Sequence, residues 1–221
     1  MNTEKKTIHY EFSEEAEPIV EEPFIKYAAL NLDAAKRYTY ADYLTWMDDK
    51  QRELINGFIR LMSSPIEVHA RISSSLFFFT KLFVRQRKGK CRIYHAPFDV
   101  RLPVDGSTDD DKIYNVVQPD ICVVCDLSKI DKRGCIGAPD LIVEILSPST
   151  AKKDWTEKFF LYEKAGVKEY WIIDPKEKVL HQFILQPDGK YDEGTIYQCH
   201  EKAPMHIFDG LEIDLNELFE E

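Results

Sequence analysis

The apolar positions along this chain fall into short runs with two different periods. Ile121–Cys125 and Leu141–Leu146 are nearly continuous and rich in β-branched residues, and Pro, Asp, Gly or Ser bounds each of them. Runs of that length and composition read as strands buried on both faces. Tyr170–Ile173 is a third, stopped by Asp174-Pro175. Between Ile66 and Arg87 the period changes: Val68, Ile72, Leu76, Phe79 and Phe83 recur at helical spacing, which predicts one long helix. Ala151 to Ala165 predicts a second, closed by Gly166 as a C-terminal cap. Upstream, Thr39 with Asp42 three positions on is a capping pattern for a helix within Tyr38–Asp48. Alternating residues around Asn56-Gly57 predict a hairpin with Glu53 on its first strand.

Further strands are expected at Cys91–His95 and Phe98–Leu102, in Val179–Leu185, near Tyr197, and in Ile207–Ile213, with a short helix from Leu215. The order is helix, three strands, helix, strand, with β additions at both ends. It predicts an α/β domain, 37–221, built on a mixed sheet with helices packed on it. Residues 1–36 read as a separate arm, acidic and punctuated by proline in EFSEEAEPIVEEP, with a short strand possible at Thr7–Phe12.

Composition narrows the classes. At 221 residues and 44% hydrophobic the chain can bury a core. No apolar run is long enough to span a membrane and the N-terminus lacks a signal-peptide pattern, so a cytoplasmic protein with no membrane partner is expected. Five scattered cysteines argue against a disulfide framework. Cys122 and Cys125 are three apart in a strand, so they point to opposite faces and read as small core residues. The net charge of −10 argues against bulk affinity for nucleic acid. The charge is uneven, however. Residues 81–92 hold six basic residues and no acid, whereas 105–111 hold four acids.

Two carboxylates interrupt the buried strands. Asp120 opens the first run behind Pro119, and Glu144 sits inside the second between Val143 and Ile145. An unpaired carboxylate in an apolar strand must neutralise, find a cation or bind a metal. Two of them, with the carbonyl of Ile145, suit a hard divalent cation of the kind that assists phosphodiester hydrolysis. The plainer readings are a strand start for Asp120 and, for Asp99, which alternates with Phe98 and Val100, a solvent-facing side chain.

The segments PDICVV, APDLIVEILSPST and DWTEK, followed by Gly166-Val167-Lys168-Glu169-Tyr170-Trp171, resemble the PD-(D/E)XK nuclease superfamily, in particular the Uma-type restriction endonucleases. The resemblance spans Tyr38 to Glu221, including the Asn56-Gly57 hairpin, His69 and PFDVRL. It implies a restriction-endonuclease-like core, an endonuclease using Mg²⁺ or Mn²⁺, DNA as partner and a homodimer. It also implies metal ligation by Asp120, Glu144 and Ile145, with Glu53 and His69 in support. The lysine that follows the second acid by two residues is missing, since Leu146 stands there. The resemblance points instead to a migrated lysine, Lys158, on the following helix. That residue borders the apolar positions Trp155, Phe159 and Tyr162, but it also stands four residues from Asp154, a common surface pair. Lys152 and Lys153 are its rivals. The basic run, with Arg85, Arg87, Lys88 and Lys90, reads either as a solvated helix end or as a hold on DNA phosphates. Apolar Phe183, Ile184, Tyr197 and Phe208 offer a dimer surface. The alternative is a catalytically inactive nucleic-acid-binding or interaction module on the same fold.

Overall fold

The computed structural model describes residues 32–48, 50–62, 66–103, 106–147 and 154–220. The possible strand at Thr7–Phe12, most of the N-terminal arm, and Lys152 and Lys153 lie outside the described residues. Of the expected arm, Leu32 already packs against Tyr38 and Tyr40, and the Asp33 amide donates to the Tyr38 hydroxyl at 2.9 Å.

The first helix, α1 (Tyr40–Tyr43), is a single turn held by the capping box of Thr39 and Asp42. The hairpin forms from β1 (Arg52–Ile55) and β2 (Phe58–Leu61). Asn56 and Gly57 both take positive φ (52° and 83°), as this tight turn requires. The long helix α2 (Glu67–Gln86) follows, with Ile72, Leu76, Thr80 and Val84 on its buried face.

The strands divide between two six-stranded sheets. The central one contains β3 (Arg92–His95), β6 (Ile121–Val124), β9 (Leu141–Ile145), β10 (Glu169–Asp174), β11 (Val179–Ile184) and β12 (Thr195–Gln198). Its order is β12-β11-β10-β9-β6-β3, antiparallel except for β9 beside β10. The β9–β10 crossover passes through a π-helical turn, Asp154–Lys158, that runs into α3 (Phe159–Ala165). Gly166 ends α3 in the left-handed conformation, as its capping role predicts. The second sheet joins the hairpin to β4 (Val100–Arg101), β5 (Val116–Val117), β7 (Ile130–Asp131) and β8 (Gly134–Ile136). A two-stranded piece, β13 (Lys202–Pro204) and β14 (Glu212–Asp214), leads into α4 (Leu215–Phe219). The architecture is the expected mixed α/β one.

Strand alternation sorts the central sheet into two faces. Ile121, Val123, Leu141, Val143, Ile145, Trp171 and Ile173 pack with α2 and the C-terminal elements. Cys122, Val124, Ile142, Tyr170 and Ile172 pack on the opposite side with Leu161 and Tyr162 of α3 and with Val100 and Val117 of the second sheet.

Several expectations need correction. The strand expected over Phe98–Leu102 is only two residues long and belongs to the second sheet. Its short partners β5 and β8, and β7 beyond β8, carry too few residues to show a period. Part of the stretch 207–213 is turn, and only Glu212–Asp214 pairs. Cys125 is not merely a small core residue but is bonded to Cys91. The β3–β6 register pairs Arg92 with Val124, which sets residues 91 and 125 opposite each other. No spacing rule links cysteines 34 apart. Cys122 does face the other side of the sheet and is buried. Of the residues expected to offer a dimer surface, Phe183 is buried, whereas Ile184, Tyr197 and Phe208 are half-buried, the last two packing against the α2 side of the core.

Glu169 on β10 gives a reference for what a purely structural buried carboxylate looks like. It is wholly buried. Its oxygens accept from Trp171 Nε1 (2.6 Å), Gln182 Nε2 (2.6 Å), the His206 amide (3.0 Å) and the Ile207 amide (2.9 Å). Donors engage both oxygens, and the carboxylate ties the C-terminal segment to the sheet.

Candidate active site

Asp120 and Glu144 are brought together by register. Ile121 pairs with Val143, so one step outward Asp120 stands opposite Glu144 on adjacent strands, with both side chains on one face. The ladder ends there because Asp120 takes over the next bond: its Oδ2 accepts from the Ile145 amide at 2.7 Å. The same oxygen meets His69 Nε2 at 3.1 Å, from the first turn of α2. Burial of His69 works to lower its pKa, but the hydrogen bond and charge of Asp120 outweigh this and hold it above the ordinary imidazole value.

Glu144 is 4% exposed. Its Oε1 accepts from Lys158 Nζ at 2.8 Å and from the Tyr162 hydroxyl at 2.6 Å. Burial pushes its pKa up to about 8 against the pull of Lys158, and the charges of Asp154, Asp120 and Glu53 add to the rise. Lys158 is 2% exposed and also reaches Glu53 Oε1 at 2.9 Å and Asp154 Oδ1 at 3.8 Å. Desolvation would discharge the amine, but Glu144, Glu53 and Asp154 together hold its pKa well above the usual lysine value. The surface-pair reading of Asp154 and Lys158 is therefore wrong: both are buried. The π-turn is why. Its hydrogen-bond ring is wider than that of an α-helix, so residues four apart share the inner face more closely than a regular helix allows. Arg60 Nε donates to Glu157 Oε2 at 2.8 Å and the Tyr170 hydroxyl to the Asp154 carbonyl at 3.1 Å, pinning the turn from both sides.

Glu53 on β1 is wholly buried, and its Oε1 also accepts the Gln118 amide at 3.0 Å. The second sheet thereby grips the segment that leads into Asp120. Asp99, expected in solvent, works in the same support. It accepts from Gln118 Nε2 at 2.8 Å and from the Tyr40 hydroxyl at 3.3 Å, and burial raises its pKa. Sequence reasoning missed Tyr162, Gln118 and Asp154. Tyr162 carried a usable signal, since it lies one helical turn beyond Lys158 and a buried tyrosine hydroxyl needs a partner.

His69, Gln118, Asp120, Glu144, Ile145 and Lys158 line one cleft of ≈ 360 Å³ between α2 and the hairpin. Unlike Glu169, each of the two acids keeps one oxygen clear. Among the described residues no hydrogen-bond donor reaches Asp120 Oδ1 or Glu144 Oε2. That half-engaged state fits a cation ligand. No group of three or more His, Cys, Asp or Glu side chains among the described residues could hold a metal. Two carboxylates with clear oxygens suit an oxygen-loving, partly hydrated ion rather than zinc.

The basic residues are elsewhere. Arg85, Arg87, Lys88 and Lys90 are exposed at and beyond the C-terminal end of α2, whereas His69 lies at its start. A helix of this length spans about 30 Å, so the structure does not bring this cluster to the carboxylates.

Three comparisons bear on this arrangement. A protein of Synechocystis, itself described only as uncharacterized, is 27% identical over 155 residues, covering 68% of this chain and 75% of its own length. A crystallised protein of Anabaena variabilis, described as "a putative nuclease belonging to DUF820", superposes with a TM-score of 0.65. It is 23% identical and covers 82% of this chain and 97% of its own, which is a likeness of fold. Residues 40–216 match the family Uma2, described as "Putative restriction endonuclease", and with that match over most of its length the chain belongs to the Uma2 family.

Proposed function

We propose that the cleft is the active site of a metal-dependent DNA endonuclease. The observation that carries this reading is the pair of adjacent carboxylates, each held by donors on one oxygen and clear on the other, beside a buried lysine ammonium. Asp120, Glu144 and the carbonyl of Ile145 would hold Mg²⁺ or Mn²⁺. When bound, the ion polarises a phosphate oxygen and acidifies a water. The chain's own residues set the rest. Lys158 places a buried positive charge beside Glu144, where negative charge develops on a phosphate under attack. His69 holds Asp120 in place. Leu146 packs into the core beside α3 and leaves the cation role to Lys158, an observation that weighs against the inactive alternative.

Plasmid DNA should be nicked or linearised in Mg²⁺ or Mn²⁺ and left intact in a chelator, and Glu144→Ala should lose at least about 100-fold in rate. Undiminished cleavage by that variant, or cleavage in the chelator, rejects the reading.

Two further parts belong to it. The cluster Arg85, Arg87, Lys88 and Lys90 would touch phosphates only of a substrate reaching the length of α2 from the site. Its replacement by alanine should weaken binding of long DNA, lower the salt slope by about 1 for each phosphate no longer neutralised, and leave short oligonucleotides unaffected. Cutting both strands with one site per chain calls for two chains. Sedimentation at micromolar concentration should therefore show a homodimer, and a monomer throughout removes that part.

No helix among the described residues is long and apolar enough to cross a membrane. The reading places the chain with its substrate, in the cytoplasm.

A further inference from the structure

We infer that Tyr162 is the positioning residue that makes Glu144 a cation ligand. This rests on the reading of the cleft as a metal site. The phenol is fully buried and donates to Glu144 Oε1 at 2.6 Å. Lys158 Nζ donates to the same oxygen at 2.8 Å. The two donors stand four residues apart, one at the end of the π-turn and the other on the first turn of α3. They arrive from one element onto one oxygen, and that convergence is what leaves Oε2 clear.

A carboxylate held by one flexible ammonium can turn about its terminal torsion, which is broad and roughly two-fold. Lys158 is already shared with Glu53 and faces Asp154 as well, so it does not by itself select Oε1 of Glu144. The phenol hydroxyl has one hydrogen to donate and gives it to Glu144, and its ring is fixed edge-on against Tyr170 at 5.0 Å and 78°. The hydroxyl therefore comes from a fixed direction and locks the carboxylate in one orientation. A partner that orients a ligand from behind in this way is worth about 10- to 100-fold in metal affinity.

Tyr162→Phe removes one oxygen and keeps the packing, and Glu144 retains Lys158. The control is Tyr191→Phe, which removes a buried hydroxyl that takes no hydrogen bond among the described residues and lies outside the cleft. Mn²⁺ affinity, measured by calorimetry on the full chain without DNA, should fall about 10- to 100-fold in Tyr162→Phe and stay within about twofold of wild type in Tyr191→Phe. Melting curves establish that both variants are folded. In cleavage assays the Mg²⁺ concentration for half-maximal rate should rise by the same factor in Tyr162→Phe, with most of kcat recovered at saturating metal. If Tyr162→Phe does not fold, titration of wild-type protein with Mn²⁺ is read instead in the near-ultraviolet. A tyrosine difference spectrum that is absent in Glu144→Gln supports the inference, and a spectrum without tyrosine change overturns it. Equal Mn²⁺ affinity in Tyr162→Phe and wild type overturns the positioning role alone. A wild-type chain that binds neither Mn²⁺ nor Mg²⁺ overturns the metal reading, and this inference with it.

Discussion

In the Lys158→Ala variant, DNA cleavage should fall by at least about 100-fold, the usual loss when one preorganised charge is removed from a phosphoryl- or acyl-transfer site. The folded chain should also lose stability. Lys158 is buried between Glu144 and Glu53 at 2.8 and 2.9 Å, so its removal strands two carboxylates in a water-poor site. Breaking a buried ion pair from one side costs about 3–5 kcal/mol. Urea unfolding would therefore show a lower midpoint with an unchanged slope, alongside the loss of activity. The sequence alone suggests that folding would be untouched, because it leaves the ammonium at the edge of an apolar stripe. Its actual place makes it structural and chemical at once.

A second variant separates those roles. Leu146 lies two residues beyond Glu144, one past the end of β9, and packs with Ile142 on the same face of the sheet. Adding Leu146→Lys to Lys158→Ala returns an ammonium to that face and should recover part of the cleavage. Full activity in Lys158→Ala removes the residue from the chemistry, whatever happens to stability.

What is legible in the sequence follows from which interactions are local. The long helix, the hairpin and the β6, β9 and β10 runs announce themselves through period and turn residues. The two acids stand out because a charge in a β-branched run has no cheap explanation. The second sheet is nearly invisible: β4, β5, β7 and β8 have two or three residues each and gain their identity only from partners far along the chain. Asp99 is misplaced for that reason, since alternation within a strand shows which face a side chain takes but not that another layer covers that face. The Cys91–Cys125 bond is likewise a consequence of the β3–β6 register. Resemblance and a regular helix point to Lys158, but the π-turn that buries it has no pattern in DWTEK that separates it from an α-turn. Glu169, just ahead of the Tyr170–Ile173 run, and Glu144, inside its own, both prove to be glutamates of buried strands. Only the donors around them, on both oxygens in one case and on one in the other, separate a structural carboxylate from a candidate ligand.

Glu53→Ala should be the second large loss, and its logic differs from that of Lys158. Glu53 comes from the hairpin, outside the central sheet, and its Oε1 receives both Lys158 Nζ and the Gln118 amide. Truncation leaves the ammonium with Glu144, so the charge balance of the site shifts but does not collapse. It also leaves a buried amide donor without its acceptor, which costs about 1–3 kcal/mol. That amide belongs to the residue two before Asp120, and the position of Asp120 then rests on its side-chain bonds to Ile145 and His69 and on its carbonyl's bond to the Ala96 amide. Cleavage should fall about 10- to 100-fold, the range for partners that orient metal ligands. Glu53→Gln keeps an oxygen where the amide and the ammonium need one and removes only the charge. It should therefore keep most of the stability and lie between wild type and alanine in rate. Wild-type cleavage and melting in Glu53→Ala would show that the hairpin merely covers the site. A glutamine variant as slow as alanine would place the contribution in the charge on Lys158 rather than in the hold on Asp120.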